Sequence, residues 1–130
     1  MKGYMLGNPQ AAGGSLGRHW RECVRRGTEI LGFEPTSSLS QAPGDATWMV
    51  RRAIEEGHSH IVVFGGDGTL NEAVNGFFDE GRFVGDDVEL VYCPFGTGGD
   101  FARSLGLGGH ADVERELQHG ITRKIDVGKA

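Results

Sequence analysis

Apolar residues along this chain follow two rhythms that alternate. Short, dense runs at Tyr4–Gly7, Phe33–Ser37, Ile61–Phe64, Glu89–Cys93 and Arg123–Val127 predict strands. Between them the apolar positions recur at helical spacing. Leu16, Trp20, Cys23, Val24, Gly27 and Leu31 predict a helix running from about Arg18 to Leu31. Ala46, Met49, Val50, Ala53 and Ile54 form a second stripe, with Asp45 placed to cap its start. Leu70, Ala73, Val74, Phe77 and Phe78 form a third, headed by Thr69 and Glu72 at the spacing of a capping box. Fainter helical signals follow at Asp100–Leu105 and Ala111–Gln118.

The run Ile61-Val-Val-Phe64 is β-branched or aromatic at every position, as a central strand covered on both faces requires. Strands alternating with helices predict an α/β fold in three layers, a mostly parallel sheet with helices on both faces. The chain shows no internal repeat and no linker, so residues 1–130 read as one domain.

Composition adds one anomaly to this picture. Of 130 residues, 23 are glycine, roughly 2.5 times ordinary usage. They are not periodic. They cluster between the apolar runs, where a backbone turns sharply or approaches something closely. A net charge of −5 argues against a generic nucleic-acid binder, which needs clustered Lys and Arg. Cys23 and Cys93 are too few and too far apart for a disulfide framework and read as buried thiols. No run approaches the length of a membrane span or a signal region. A cytoplasmic location is the expectation.

The most informative glycines follow the third strand. Ile61-Val-Val-Phe-Gly-Gly-Asp-Gly-Thr-Leu-Asn-Glu72 reads as strand, glycine-rich turn and helix. In an open α/β sheet, ligands bind beyond the carboxyl ends of the strands, where this turn falls. Gly65, Gly66 and Gly68 remove side chains where backbone amides would meet phosphate oxygens, and the helix start adds N–H groups and a positive dipole end. A Walker loop is excluded because no Lys-Ser/Thr follows the last glycine. A dinucleotide fingerprint is excluded because Asn8-Pro9 stands after the first strand. Asp67 separates this loop from a passive anion cradle. A carboxylate beside a polyphosphate is repelled unless a metal ion lies between them or it handles a proton, which points to Mg²⁺ and phosphoryl transfer.

Four segments carry a resemblance to a known family. Gly65-Gly-Asp-Gly-Thr-Leu-Asn-Glu-Ala-Val-Asn-Gly76 resembles the signature of the diacylglycerol kinase catalytic domain, shared with sphingosine kinases and bacterial lipid kinases. Asn8-Pro9 with Gly13-Gly14 is similar to that family's loop after the first strand. Pro94-Phe-Gly-Thr-Gly-Gly-Asp-Phe-Ala-Arg-Ser-Leu-Gly106 is similar to its loop after the fourth, and Ile125-Asp-Val-Gly128 to the segment leading into its second domain. Gly99 departs from the pattern, standing where the family usually has Asn. The core Gly-Gly-Asp-Gly-Thr is shared with NAD kinases. A soluble-substrate kinase of that type, or a non-catalytic nucleotide-binding module, therefore stays as an alternative.

The resemblance implies a first domain of the phosphofructokinase/NAD kinase-like type that binds ATP with Mg²⁺. ATP contacts are implied for Asn8, Pro9, Gln10 and Gly13, for Ser40, for Gly65, Gly66, Asp67, Gly68, Thr69, Leu70 and Asn71, and for Thr97. Asp67 is implied as the catalytic and metal-linked residue, while Asp100 fits a helix N-cap better than a catalytic role. The lipid pocket, a metal cluster and a base carboxylate are implied to belong to a β-rich second domain beyond residue 130. The implied partners are a nucleotide, a diacylglycerol-like or sphingoid lipid, a membrane surface contacted transiently and a second copy in a homodimer. His58 and His60 are expected to be surface loop residues, since their spacing beside a strand is a weak metal signal.

Overall fold

A computed structural model describes residues 2–95, 123–125 and 127. The helical signals at 100–105 and 111–118, together with Thr97, Gly99 and Asp100, lie outside the described residues. Strands β1 (Gly3–Gly7), β2 (Thr36–Leu39), β3 (His60–Gly65), β6 (Glu89–Pro94) and β7 (Arg123–Ile125) form a five-stranded sheet in the order β2-β1-β3-β6-β7. The first four are mutually parallel, as the alternation of strands and helices predicts, but β7 pairs antiparallel to β6. The second strand begins three residues later than its apolar run suggests. Phe33 sets its ring edge-on to His60 before the strand starts, so its hydrophobicity belongs to the loop.

Helices α1 (Ser15–Arg18) and α2 (Trp20–Leu31) replace the single helix expected from Arg18, with the break at His19. Helices α3 (Asp45–Glu55) and α4 (Asp67–Asn75) follow the second and third stripes. Alternation along the strands sends side chains to two cores. Met5, Val62, Phe64, Val91 and Cys93 meet Leu16 and Cys23 on one face. Leu6, Ile61, Val63, Leu90 and Tyr92 meet Ala46, Met49, Val50, Ala53, Ala73 and Phe77 on the other. The sheet is thus the middle of three layers, which explains why its inner strands β3 and β6 are apolar at successive positions. Cys23 and Cys93 are buried and reduced, as their apolar surroundings suggest.

A small hairpin, β4 (Phe78–Asp79) with β5 (Arg82–Phe83), has no counterpart in the hydrophobic pattern. Its turn, Glu80-Gly81, takes positive φ at both residues (51° and 79°), and it stacks Phe83 on Phe77 to close one end of the core. His58 corrects the surface expectation. Its ring is buried, with Nδ1 2.9 Å from the Ala53 carbonyl and its edge against Tyr4. His60 is half-buried on β3, with Nε2 3.2 Å from Glu89.

Candidate functional site

The strand register brings the ends of four parallel strands to one edge of the sheet. Gly7 lies opposite Leu39 on one side and Phe64 on the other, and Gly65 lies opposite Pro94. The loops after β1, β2 and β3 therefore emerge together at the carboxyl edge, beside the end of β6. The chain leaves β1 for β2 on one side and returns to β3 on the other. The Asn8 and Gly65 loops thus flank a topological switch point, where open α/β sheets bind ligands.

Hydrogen bonds fix these loops against one another. The Asn8 N–H donates to the Phe64 carbonyl at 3.2 Å, and the Ser40 N–H donates to the Gly7 carbonyl at 2.8 Å. Within the first loop the Asn8 side-chain oxygen accepts the Gln10 N–H at 3.0 Å, an Asx turn that shapes the strand exit. Past it, Ala12, Gly13 and Gly14 all have positive φ, which turns the chain into α1.

Helix α4 starts two residues earlier than its apparent capping box. Gly66, extended, occupies the N-cap without a side-chain cap, and Leu70 N–H makes the bond to the Gly66 carbonyl at 3.1 Å. The amides of Asp67, Gly68 and Thr69 therefore precede the ladder and lie at the positive end of the helix dipole. Thr69 is buried one turn in, not at the cap. It packs so closely on Gly65 that a Cβ there would lie 2.7 Å from Thr69 Oγ1 and 2.8 Å from Thr69 Cβ. Glu72, expected to reach back to the cap, instead accepts the Gly44 N–H at 3.1 Å. Asp45 likewise is the first residue of α3 and not its cap. Its carboxylate accepts Gln41 N–H at 2.8 Å, Ala42 N–H at 2.9 Å and Trp48 Nε1–H at 3.1 Å.

These elements enclose a cleft of about 330 Å³, at the lower end of the range for small-molecule sites. Asn8, Pro9, Gln10, Ser40, Gly68 and Thr69 line it, six of the residues the motifs single out. Gly65 and Gly66 form the strand exit and helix cap beneath it, and Asp67 is exposed at the helix head. Gly13, Leu70 and Asn71 do not line it. Gly13 belongs to the turn before α1, Leu70 packs on the core, and Asn71 is exposed on α4. Gln41, Ala42, Pro43, Ala46 and Glu72 complete the lining; of these only Glu72 falls within a quoted motif, where it reads as part of a cap and not as a site residue.

Behind the helix head stands Tyr92 of β6. Its ring is buried at 4% exposure, and its hydroxyl lies 3.3 Å from the Gly65 carbonyl and 3.4 Å from Asp67 Oδ1. The described residues hold no cluster of three metal-ligating side chains. The carboxylates at the cleft are Asp67, exposed at the helix head beside its amides, and Glu72 in the lining, whose Oε1 already accepts the Gly44 N–H. That arrangement fits a Mg²⁺ ion carried mainly by substrate phosphates and water, which needs only one or two protein carboxylates. It does not fit a cation caged by protein alone. No helix among the described residues is long and apolar enough to cross a membrane.

Comparison with known proteins agrees with the motifs. The model of the diacylglycerol kinase catalytic domain matches residues 2–130. A diacylglycerol kinase of Staphylococcus carnosus is 36% identical over 104 residues, covering 78% of this chain and 32% of that protein. One of Staphylococcus epidermidis is 37% identical over 105 residues, covering 78% and 31%. A solved diacylglycerol kinase structure from Bacillus anthracis superposes with a TM-score of 0.58 at 28% identity, over 91% of this chain and 42% of that one. The chain thus spans about a third of the length of the curated relatives it matches.

Proposed function

Because this chain belongs to the diacylglycerol kinase catalytic domain family, we propose that its cleft binds ATP with Mg²⁺ for transfer of the γ-phosphoryl group to a lipid hydroxyl. The acceptor is of the diacylglycerol or sphingoid class. The observation that carries this reading is the convergence of the Asn8 loop, the Ser40 loop and the head of α4 on one cleft at the sheet's switch point.

Each part has a physical task. The amides of Asp67, Gly68 and Thr69, at a helix N-terminus without a side-chain cap, suit anionic phosphate oxygens. Glycine at 68 keeps side-chain bulk out of that approach, since nothing lies within 4 Å of where its Cβ would be. The Ser40 hydroxyl on the other wall, and the Glu72 carboxylate further along α4, suit the hydroxyl and amine donors of a nucleoside. Mg²⁺, when bound with ATP, neutralises the phosphate charge that would otherwise repel Asp67. Asp67 holds that charge balance at the reacting end, so positioning and electrostatics supply most of the catalysis. The lipid pocket and the general base are assigned to sequence outside residues 1–130, in the part of the relatives this chain does not span. Contact with a membrane surface belongs to that larger protein.

Calorimetric titration with ATP, with and without Mg²⁺, tests the site. Wild type is expected to bind more tightly with Mg²⁺, and Asp67→Ala to lose that gain. An unchanged gain in the variant refutes the role given to Asp67. Incubating the full-length protein with labelled ATP and diacylglycerol, sphingosine or NAD tests the acceptor. Label appearing in NAD and in neither lipid overturns the lipid reading.

A further inference from the structure

Tyr92 is the largest polar side chain in the core facing α3 and α4, and the proposed chemistry does not use it. It sits on β6, in register with Val63, so its ring stands on the α4 side of the sheet. From there its hydroxyl reaches two acceptors, the Gly65 carbonyl at 3.3 Å and Asp67 Oδ1 at 3.4 Å. One hydroxyl has one proton, so the two acceptors compete for it. They do not need it equally. The Gly65 carbonyl already accepts the Phe95 N–H at 2.9 Å, a bond of ordinary length. Asp67 is exposed at the first position of α4 and has free rotation about its side-chain bonds unless something holds it.

We propose that Tyr92 is a positioning residue for Asp67. Its buried hydroxyl donates to Oδ1, anchoring the carboxylate with Oδ2 turned toward the cleft for the metal-bound nucleotide. This rests on the metal-linked role given to Asp67 above. The chemistry favours it. A rigid, buried donor fixes a carboxylate at small entropic cost, because the ring is already immobilised by packing. The bond runs from the strand core to the helix head, so the carboxylate takes its aim from the sheet and not from the rim of the cleft.

The test is a double-mutant cycle on the full-length protein, with Mg²⁺-dependent ATP affinity as the readout. Tyr92→Phe keeps the ring and its burial and removes only the hydroxyl. It is expected to reduce the gain in ATP affinity brought by Mg²⁺ about tenfold, the size of one charge-assisted hydrogen bond. Metal-free ATP affinity is expected to be unchanged. In the Asp67→Ala background the same change is expected to cost nothing further. An undiminished Mg²⁺ gain in Tyr92→Phe, or an equal loss in both backgrounds, overturns the proposal while leaving the nucleotide site standing. Wild type without any Mg²⁺-dependent ATP binding brings down the nucleotide reading itself and this inference with it. A measurement on the unmutated ring covers the case of a variant that does not fold. With tyrosine labelled at Cζ, the ¹³C shift of Tyr92 should move on adding Mg²⁺–ATP to wild type and stay put in Asp67→Ala. A shift that ignores Mg²⁺–ATP in wild type refutes the coupling.

Discussion

The carboxylate of Glu72, just past the middle of α4, accepts the backbone N–H of Gly44 at 3.1 Å across 28 positions of sequence. Thr47 reinforces the junction by donating its hydroxyl to the Glu72 carbonyl at 2.8 Å. One residue therefore ties the loop before α3, which carries one wall of the cleft, to the helix that carries the other. Glu72→Ala is expected to cost about 1 kcal/mol of stability, the net worth of one hydrogen bond, and to weaken ATP binding by loosening residues 40–44. Glu72→Gln keeps an oxygen acceptor and should retain most of both. Urea denaturation and ATP titration of the two variants check this, and equal losses in both would show that charge, not the Gly44 bond, is what matters.

Two glycines in the same loop should fail in opposite ways. A Cβ at Gly65 meets Thr69 at 2.7–2.8 Å, so Gly65→Ala must push α4 away from the strand end and should destabilise by about 1–3 kcal/mol. Gly68 has nothing within 4 Å of its Cβ position and lies in the first turn of α4. Gly68→Ala should leave stability unchanged or raise it by up to about 1 kcal/mol, yet weaken ATP binding by placing a methyl group at the cleft wall. Melting temperature and nucleotide affinity, measured side by side, separate the two effects.

Asp45 links the Ser40 loop to acidity. The Gln41 N–H bond holds its carboxyl below the ordinary value of 3.8, helped by the Trp48 indole and the Ala42 N–H. A folded-state pKa below the unfolded one stabilises the fold above the unfolded value, and the contribution is lost as pH falls through the folded one. Asp45→Asn should therefore lower Tm at neutral pH and narrow its gap from wild type as the solution is acidified to about pH 3. A gap that stays constant over that span would remove Asp45 from the acid response.

Cys23 should be chemically silent in the folded protein. Burial pushes its thiol far above the ordinary value of 9.0, with Cys93 and Glu22 adding in the same direction. Since the thiolate is the reactive form, an aromatic disulfide reagent at mildly alkaline pH should not modify Cys23 until the chain is unfolded in denaturant. Rapid modification under native conditions, mapped to Cys23, would contradict the burial described here.

Local chemistry was legible wherever a motif and its structure lie close together in sequence. Ile61–Phe64 followed by Gly65, Gly66 and Gly68 could only be a buried strand running into a glycine turn, and β3, the turn and α4 follow that order. The capping box at Thr69 and Glu72 misled because spacing alone cannot tell a cap from the same residues three positions into a helix. Glu72 found a better partner in Gly44, which no local pattern shows. His58 misled because its burial against Tyr4 exists only after α3 docks on the sheet, although its hydrogen bond to Ala53 is local to the end of α3. The hairpin at Phe78–Phe83 is too short for a period to declare itself.

The division between the two sources of information follows the range of the forces involved. Backbone propensity, side-chain alternation and the absence of a Cβ act within a few residues. The sequence alone therefore settled the three-layer α/β class, the glycine loop at Gly65–Gly68 and the family to which it points. Strand order, the antiparallel entry of β7, and the meeting of Asn8, Ser40 and Gly68 at one cleft depend on burying both faces of one sheet at once. That is a property of the whole packed domain. Asp67 and Tyr92 stand 25 positions apart, with no local signal of their contact. Only the packing of β6 beside β3 brings the hydroxyl to the carboxylate.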